Sequence, residues 1–240
     1  MSLFELEWLG GEAEQAFRRH RGDRVDAFDW ALDTTGVSDE DRDAQRITWT
    51  RSAHLEWCAA GAFATLQQAM LVARAPVDLI GMSGRFLADE MVHVELACRM
   101  AAAWGGGAPL EVDPAALGPR PDPTLDALPA ACALVIRTSC VGETFSQPML
   151  AHARSKATGL AHAVLDRIVR DETPHARLGW LLLDWAAPRL SAADRVRLAE
   201  EASDAIAALR DTDAPVDLRE RVLLKRVVEP LRRRGIAVAA

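Results

Sequence analysis

The chain has 240 residues, half of them hydrophobic, which is enough to bury one sizeable core, and we expect a single domain over residues 1–240. Its net charge of -7 makes a nucleic-acid partner unfavourable, because phosphate binding needs a basic surface. No apolar run approaches the ~18 residues of a membrane span, so no membrane partner is expected. The acidic start lacks a signal-peptide core, so a cytoplasmic location is predicted.

An excess of alanine and leucine over β-branched residues predicts helices along the whole chain. The first are short, at residues 3–20 and 25–32. Four long segments follow, at 43–73, 77–104, 125–156 and 159–185. Two more helices close the chain, at 191–209, where Ser191 and Asp194 resemble a capping box, and at 216–234, with Gly235 as the stop.

The connections between the four long segments differ greatly in length. The first pair and the second pair are each joined by a short turn. Residues 105–124, rich in Gly and Pro, lie between the two pairs, and a loop of that length is uncommon inside a compact domain. The pattern predicts two antiparallel hairpins joined by one crossover. The alternative is an ordinary linker between two helical halves.

Two Glu-x-x-His motifs occur on long segments, Glu90 to His93 on the second and Glu172 to His175 on the fourth. Residues three apart share a helix face, so each motif can direct a carboxylate and an imidazole at one point. Carboxylate and imidazole together suit iron, manganese or zinc. The two motifs therefore predict a metal site between the segments.

The other two long segments each contain a single glutamate, Glu56 and Glu143, in an otherwise apolar stretch. A lone buried glutamate is costly unless it is paired or bound to a metal. Both motifs are also preceded by an aspartate, Asp89 and Asp171. These four acids extend the predicted site to all four long segments.

One Glu from each of two helices, with one Glu-x-x-His from each of the other two, resembles the ligand set of the ferritin-like di-iron carboxylate proteins. The resemblance covers residues 43–185. It implies an all-α, ferritin-like four-helix bundle with one long crossover and additional N- and C-terminal helices. The bundle core would cover about 43–187, and the C-terminal helices about 191–234.

The resemblance also implies metal ligands. Glu56 and His93 would bind one ion, Glu143 and His175 the other, and the glutamates of the two motifs would bridge them. Two iron ions are expected, although the same ligands suit Mn/Fe or Mn/Mn pairs. In this family the aspartate before such a glutamate often hydrogen-bonds the histidine of the opposite motif, which is the role expected of Asp171 and its counterpart Asp89.

Pro174 lies inside the second motif, where it removes a helical N–H group. One interpretation is a kinked but continuous helix. In the other, Asp171 caps a new helix with Pro174 in its first turn, and Glu172 is an ordinary first-turn acid.

Helical offsets from the ligands place six further residues at the border of the site, either as pocket lining or as plain core: Trp49, Phe63, Phe86, Cys140, Gln147 and Ile168.

The resemblance implies an enzyme, and features that are typical of other members of the family but missing here narrow the class of enzyme. Ferritins usually lack the second complete motif, rubrerythrins commonly carry a cysteine-rich iron domain, and radical-generating reductase subunits need a tyrosine or a substitute, whereas this chain has no Tyr. We expect a di-iron oxidase or monooxygenase that activates O2 to oxidise or hydroxylate a small apolar or aromatic substrate, with electrons from a donor protein or reductant. The C-terminal helices could cover the bundle or form a homodimer interface.

Two departures qualify the resemblance to the larger hydroxylases and the arylamine oxygenases. Val92 and Pro174 stand where the hydroxylases have arginine before the histidine, and Ile168 stands where the oxygenases have a third histidine. The alternatives are a metal-binding, ferroxidase or peroxide-detoxifying protein without an organic substrate, and a non-catalytic helical scaffold.

Overall fold

The computed structural model of the chain describes residues 1–210, 212 and 214–238. Its α-helices are α1 (Gly11–Arg21), α2 (Asp39–Val72), α3 (Val77–Ala103), α4 (Ala127–Val135), α5 (Thr144–Lys156), α6 (Gly159–Ala186), α7 (Ala192–Arg210), α8 (Val216–Val222) and α9 (Glu229–Arg233). The described residues also form two π-helices, π1 (Ile136–Glu143) and π2 (Leu223–Val228), and a 3₁₀ turn at Ala187–Arg189. Two two-residue strands, β1 (Ser2–Leu3) and β2 (Glu111–Val112), pair antiparallel. The prediction of an all-α protein is confirmed.

The N-terminal prediction is wrong in two places. The first helix begins at Gly11 and not at residue 3, because β1 pairs with β2 and the N–H of Phe4 donates to Leu110 O at 2.8 Å. Gly10, with φ of 76°, then turns the chain into α1. Residues 25–32 form turns and irregular chain instead of a helix, and the indole N–H of Trp30 donates to Val25 O at 3.1 Å.

The helix that carries Glu56 begins four residues earlier than predicted. Ser38 is its N-cap, and the hydroxyl of Ser38 accepts a hydrogen bond from the N–H of Asp41 at 3.0 Å. As a result α2 also contains Glu40 in its exposed first turn, so Glu56 is the only glutamate in the buried part of the helix and not in the whole of it.

Connections of contrasting length join the four long segments, as predicted. Residues 73–76 link α2 to α3, and residues 157–158 link α5 to α6. Residues 104–126 form the long connection, which lies along α2: Arg46 donates to Gly106 O at 3.0 Å, and Thr50 Oγ1 accepts from the N–H of Ala108 at 3.0 Å. The two pairs of segments contact each other through α2 with α4 and α3 with α6.

The third long segment is helical throughout but changes its winding in the middle. Within it, π1 separates α4 from α5 and ends at Glu143. The hydroxyl of Thr144 donates to Ser139 O at 3.1 Å, five residues back. A π-helical turn rotates the side chains after it relative to an unbroken α-helix, and such turns are frequent at functional sites. The sequence predicted one regular helix and missed this change.

Pro174 lies well inside α6, which runs unbroken from Gly159 to Ala186. The interpretation in which Asp171 caps a new helix is therefore wrong. Glu172 and His175 are one turn apart on a continuous helix.

The last helices pack on the chain's own core. Ser191 Oγ accepts from the N–H of Asp194 at 3.1 Å and Asp194 Oδ2 accepts from the N–H of Ser191 at 2.8 Å, which confirms the capping box. Residues 216–233 form α8, π2 and α9 in place of one regular helix, and Gly235, with φ of 77°, ends them. Leu198 and Leu231 belong to the same buried cluster as Phe63. These helices thus cover part of the core that the long segments form.

In the described part of the chain, none of the helices combines the length and the apolar character that a membrane crossing requires.

Candidate metal centre

A polar layer divides the apolar interior of the protein into two clusters. On α2, Trp49 belongs to one cluster and Phe63 to the other, and Glu56 lies between them. On α3, Phe86 belongs to the cluster of Phe63 and Val92 to the cluster of Trp49. On α6, Leu178 belongs to the cluster of Phe63 and Ile168 to the cluster of Trp49. The layer contains all six predicted ligands, five of them buried and Glu56 partly buried: Glu56, Glu90, His93, Glu143, Glu172 and His175.

The two histidines direct the same ring nitrogen at the same pair of glutamates. Nδ1 of His93 lies 3.1 Å from Glu172 Oε1 and 3.4 Å from Glu90 Oε2. Nδ1 of His175 lies 2.9 Å from Glu90 Oε1 and 2.9 Å from Glu172 Oε2. Each glutamate therefore presents one oxygen to one histidine and the second oxygen to the other.

The remaining two glutamates each lie near a different histidine, Glu56 near His93 and Glu143 near His175. Glu56 Oε2 lies 3.7 Å from Nδ1 of His93. Two groups of donor atoms result, each with all its atoms within 4.8 Å of one another: Glu56, Glu90, His93 and Glu172 in the first, and Glu90, Glu143, Glu172 and His175 in the second. Either group could hold a metal ion, and the glutamates of the two motifs belong to both.

Unpaired polar atoms are concentrated in this layer. Within the described residues, hydrogen-bond partners are lacking for both carboxylate oxygens of Glu90, Oε2 of Glu172 and both ring nitrogens of His93 and His175. Their contacts with one another are short, but they are not aligned as hydrogen bonds. Buried polar atoms without partners are costly, and a bound cation would satisfy them. The donor set, carboxylate oxygen with imidazole nitrogen, fits such an ion.

The outer glutamates resist ionisation without a cation. Burial, together with the negative charge of Glu90 and Glu172, raises the pKa of Glu56 to about 8, although His93 opposes the shift. Burial and the same two carboxylates raise the pKa of Glu143 well above its usual range. Both shifts follow from placing four carboxyl groups in one dry layer.

The histidines respond in the opposite sense. Burial disfavours the charged form of His93, but Asp171 and Glu172 outweigh it and raise its pKa well above the usual range. For His175, Asp89 and Glu172 likewise overcome burial and raise the pKa to about 12. These shifts favour the charged imidazolium form of both histidines, in which each ring nitrogen carries a proton.

Asp89 and Asp171 lie on the far side of the two imidazole rings. Nε2 of His175 is 3.8 Å from Asp89 Oδ2, and Nε2 of His93 is 3.6 Å from Asp171 Oδ2, so each aspartate faces the histidine of the other motif. These separations are slightly longer than a direct hydrogen bond. Burial opposes ionisation of Asp89, yet His175 and Arg24 lower its pKa to about 2. The aspartates lie where they can orient the rings.

Three arginines next to these aspartates were missed by the sequence reasoning. Arg85 Nε lies 3.4 Å from Asp89 Oδ2, and Arg167 Nε donates to Asp171 Oδ2 at 2.9 Å. Both precede their aspartate by four residues on the same helix, a spacing that was visible in the sequence. Arg24 comes from the turn after α1 and had no such signal.

The six predicted bordering residues fall in different environments. Phe63 and Phe86 contact His175, with ring centroids 5.3 and 4.3 Å from the imidazole. Trp49 and Ile168 are buried in the cluster on the other side of the layer, and Cys140 is buried beside α6. Gln147, the sixth residue, is half-buried. Its Oε1 accepts a hydrogen bond from Arg226 of π2, and its Nε2 lies 3.5 Å from the hydroxyl of Thr173. A pocket-lining role for the six stays a prediction.

The described residues thus define an all-α protein with a buried carboxylate and histidine cluster that could hold a metal ion. Comparisons with known protein families, curated proteins and solved structures found no match for the chain.

Proposed function

We propose that the chain is a ferritin-like, di-iron oxidase or oxygenase that uses O2 to oxidise a small apolar or aromatic substrate. The observation that carries the proposal is the sharing of Glu90 and Glu172 between two four-residue donor groups. A single ion needs only one such group. Two groups with two residues in common suit a pair of ions bridged by carboxylates.

Charge balance supports two divalent ions. Four glutamates in the layer carry four negative charges when ionised, and two divalent cations neutralise them. Burying that many carboxylates without compensation is unfavourable, as the raised pKa of Glu56, to about 8, indicates.

The connectivity supports the ferritin-like assignment. Glu56 comes from α2 and Glu143 from the end of π1, whereas α3 and α6 each supply a Glu-x-x-His motif. Two hairpins, α2 with α3 and the third segment with α6, are joined by residues 104–126. This is the arrangement that bundle di-iron sites use.

The surroundings suit oxidative chemistry. A bound iron pair would supply the electrons that activate dioxygen, and the protein's own part is to fix ligands and exclude water. Phe63 and Phe86, both nearly inaccessible to solvent, cover His175 and keep water from that face of the site. Asp89 and Asp171 favour the tautomer in which Nε2 carries the proton and Nδ1 offers its lone pair to the metal.

The test measures metal content and oxygen consumption on the same samples. Protein loaded anaerobically with Fe(II) and desalted should retain close to two iron ions per chain and should consume O2 when air is admitted. The Glu90→Ala/Glu172→Ala variant, checked for helicity by circular dichroism, should retain almost none and consume none. A parent that retains no metal would overturn the proposal and favour the helical scaffold.

A third measurement separates an oxygenase from a metal-storage protein. Repeated additions of Fe(II) in air should leave the iron content near two per chain. Continued uptake of many ions per chain, with assembly into a large particle on gel filtration, would instead identify a storage or ferroxidase function.

A further inference from the structure

Arg24 contacts both aspartates that face the histidines. Its Nη1 atom donates a short hydrogen bond to Asp89 Oδ1 and lies 3.9 Å from Asp171 Oδ2. Asp89 is on α3 and Asp171 is on α6, so one guanidinium group spans the two helices that carry the Glu-x-x-His motifs. Its side chain is only 15% exposed.

The turn that carries Arg24 is fixed to α3 by a buried ion pair. Arg21 is fully buried, and its Nε lies 3.0 Å from Oε2 of Glu95, itself buried on α3. Nη2 of Arg21 donates to Asp26 Oδ1 at 3.0 Å. Arg24 Nε in turn donates to the carbonyl of Arg21 at 2.9 Å. The position of the Arg24 guanidinium therefore depends on residues of α1 and of the turn after it, which lie outside the four long segments.

The neighbouring arginines do not duplicate this contact. Arg85 is 70% exposed and contacts only Asp89, one turn along its own helix. Arg167 is 31% exposed and contacts Asp171 in the same way. Each of these pairs leaves its aspartate free to move with its own helix. Only the Arg24 guanidinium, among the three, relates the two aspartates to each other.

We propose that Arg24 is a positioning residue for the metal centre, which holds Asp89 and Asp171 in register so that both histidines present Nδ1 to the metals. This inference rests on the proposed function in that it requires a metal in the layer. It assigns to the segment before α2 a part in a site whose ligands all come from later helices.

The consequence is a loss of metal affinity that is separate from any loss of folding. Removing the partners that orient ligand histidines typically costs 10–100-fold in metal affinity. Arg24→Gln keeps much of the side-chain length but loses the positive charge and the planar guanidinium group. We expect its metal affinity to fall by about 10–100-fold. Because Arg85 and Arg167 still pair the aspartates, the variant should fold.

The Arg24→Lys variant tests whether positive charge alone is sufficient or whether one group must contact both aspartates. An ammonium group is a compact point charge that lacks the planar fork of guanidinium. Lysine can neutralise one aspartate but cannot contact both in the same way, so we expect an affinity between those of Arg24→Gln and the parent. A Lys variant that binds as tightly as the parent would show that bridging is unnecessary and would overturn the proposal.

The experiment uses Co(II), whose visible absorption reports on ligand geometry. The full-length parent, Arg24→Gln, Arg24→Lys and Arg137→Gln are titrated with Co(II), and the melting temperature of each is measured in chelator. Arg137 is the matched control, since it is 34% exposed and pairs with Glu201 on α7 at 2.8 Å, a contact that involves neither aspartate. We expect weaker binding and an altered absorption band for both Arg24 variants and no change in either for Arg137→Gln.

The outcomes distinguish this inference from the proposed function. If the parent binds Co(II) and Arg24→Gln binds it equally well, Arg24 has no positioning role, whatever its effect on melting temperature. If the parent itself binds no Co(II), the proposed function fails and the positioning role fails with it. A lower melting temperature with unchanged affinity would make Arg24 a purely structural residue.

Discussion

Oδ2 of Asp171 lies 3.6 Å from Nε2 of His93, on the side of the imidazole ring opposite the glutamates. The two residues come from different helices, α6 and α3, and the mirror relation joins Asp89 on α3 to His175 on α6. The aspartate that precedes each motif thus lies where it could orient the histidine of the other motif. The site depends on the register of the two helices as much as on either motif alone.

We expect Asp171→Asn to weaken metal binding by about tenfold or more, in line with the usual cost of removing such a partner. The amide is neutral and can donate as well as accept, so it no longer selects the His93 tautomer with a proton on Nε2. Co(II) titration measures the change. Asp166→Asn is the matched control, because Asp166 lies on the same helix and pairs with Arg154 at 2.9 Å. Equal affinities for the two variants would contradict the role of Asp171.

Metal binding should release protons. At pH 7 His175, with a pKa of about 12, and Glu56, with a pKa of about 8, are largely protonated in the metal-free layer. A metal ion needs the lone pair of Nδ1 and an ionised carboxylate, so it displaces these protons. Affinity should therefore rise as pH increases from 6 to 8 and fall as pH decreases.

Calorimetric titration with Zn(II) in buffers of different ionisation enthalpy counts the protons. We expect a net release of at least one proton per metal ion at pH 7, and a smaller release at pH 8, where more of Glu56 is already ionised. An affinity that does not change between pH 6 and pH 8 would show that the layer is already deprotonated.

Replacing a glutamate of both donor groups should remove more bound metal than replacing a glutamate of one group. Glu90 belongs to both donor groups, whereas Glu56 belongs to one. Glu90→Ala should lose nearly all bound metal, because each ion loses a ligand. Glu56→Ala should retain close to one ion per chain, held by the group that contains Glu143. Elemental analysis after desalting gives both numbers, and a similar loss in the two variants would indicate a single ion at the centre of the layer.

Much of the site was predictable because it depends on spacing within helices. The i, i+3 spacing of Glu90 and His93, repeated in α6, fixes which side chains share a face, and the structure brings both pairs together with Glu56 and Glu143. A lone glutamate in an apolar helix also indicates a site, because burying its carboxylate without a partner or a metal is costly.

The rest depends on contacts between distant residues, which spacing does not report. Arg24 reaches Asp89 from 65 positions away, from a turn that lies between the two short helices predicted at residues 3–20 and 25–32. The start of the first helix was missed because Leu3 pairs with Glu111, a tertiary contact that overrides local helix propensity. The change to π winding before Glu143 likewise leaves no mark in the hydrophobic pattern.

The close approach of α6 to π1 leads to the last prediction. A Cβ atom on Gly179 would lie 2.5 Å from Cys140 Sγ and 3.0 Å from the backbone nitrogen of Cys140, so alanine does not fit without a shift of π1. Gly179→Ala should lower the free energy of unfolding by roughly 1–3 kcal/mol, the usual cost of overpacking. Because π1 ends at Glu143, the shift should also lower metal content.

Gly81→Ala is the control for this substitution. Gly81 lies on α3 with nothing within 4 Å of an added Cβ, so alanine there should raise the free energy of unfolding by about 0.5–1 kcal/mol through its better helix propensity. Urea unfolding of metal-free protein measures both effects, and elemental analysis measures the metal. If Gly179→Ala is destabilised but keeps its full metal content, the close packing at Cys140 supports the fold without placing Glu143. If it loses metal in proportion to its shift in stability, the packing of α6 on π1 sets the position of the ligand.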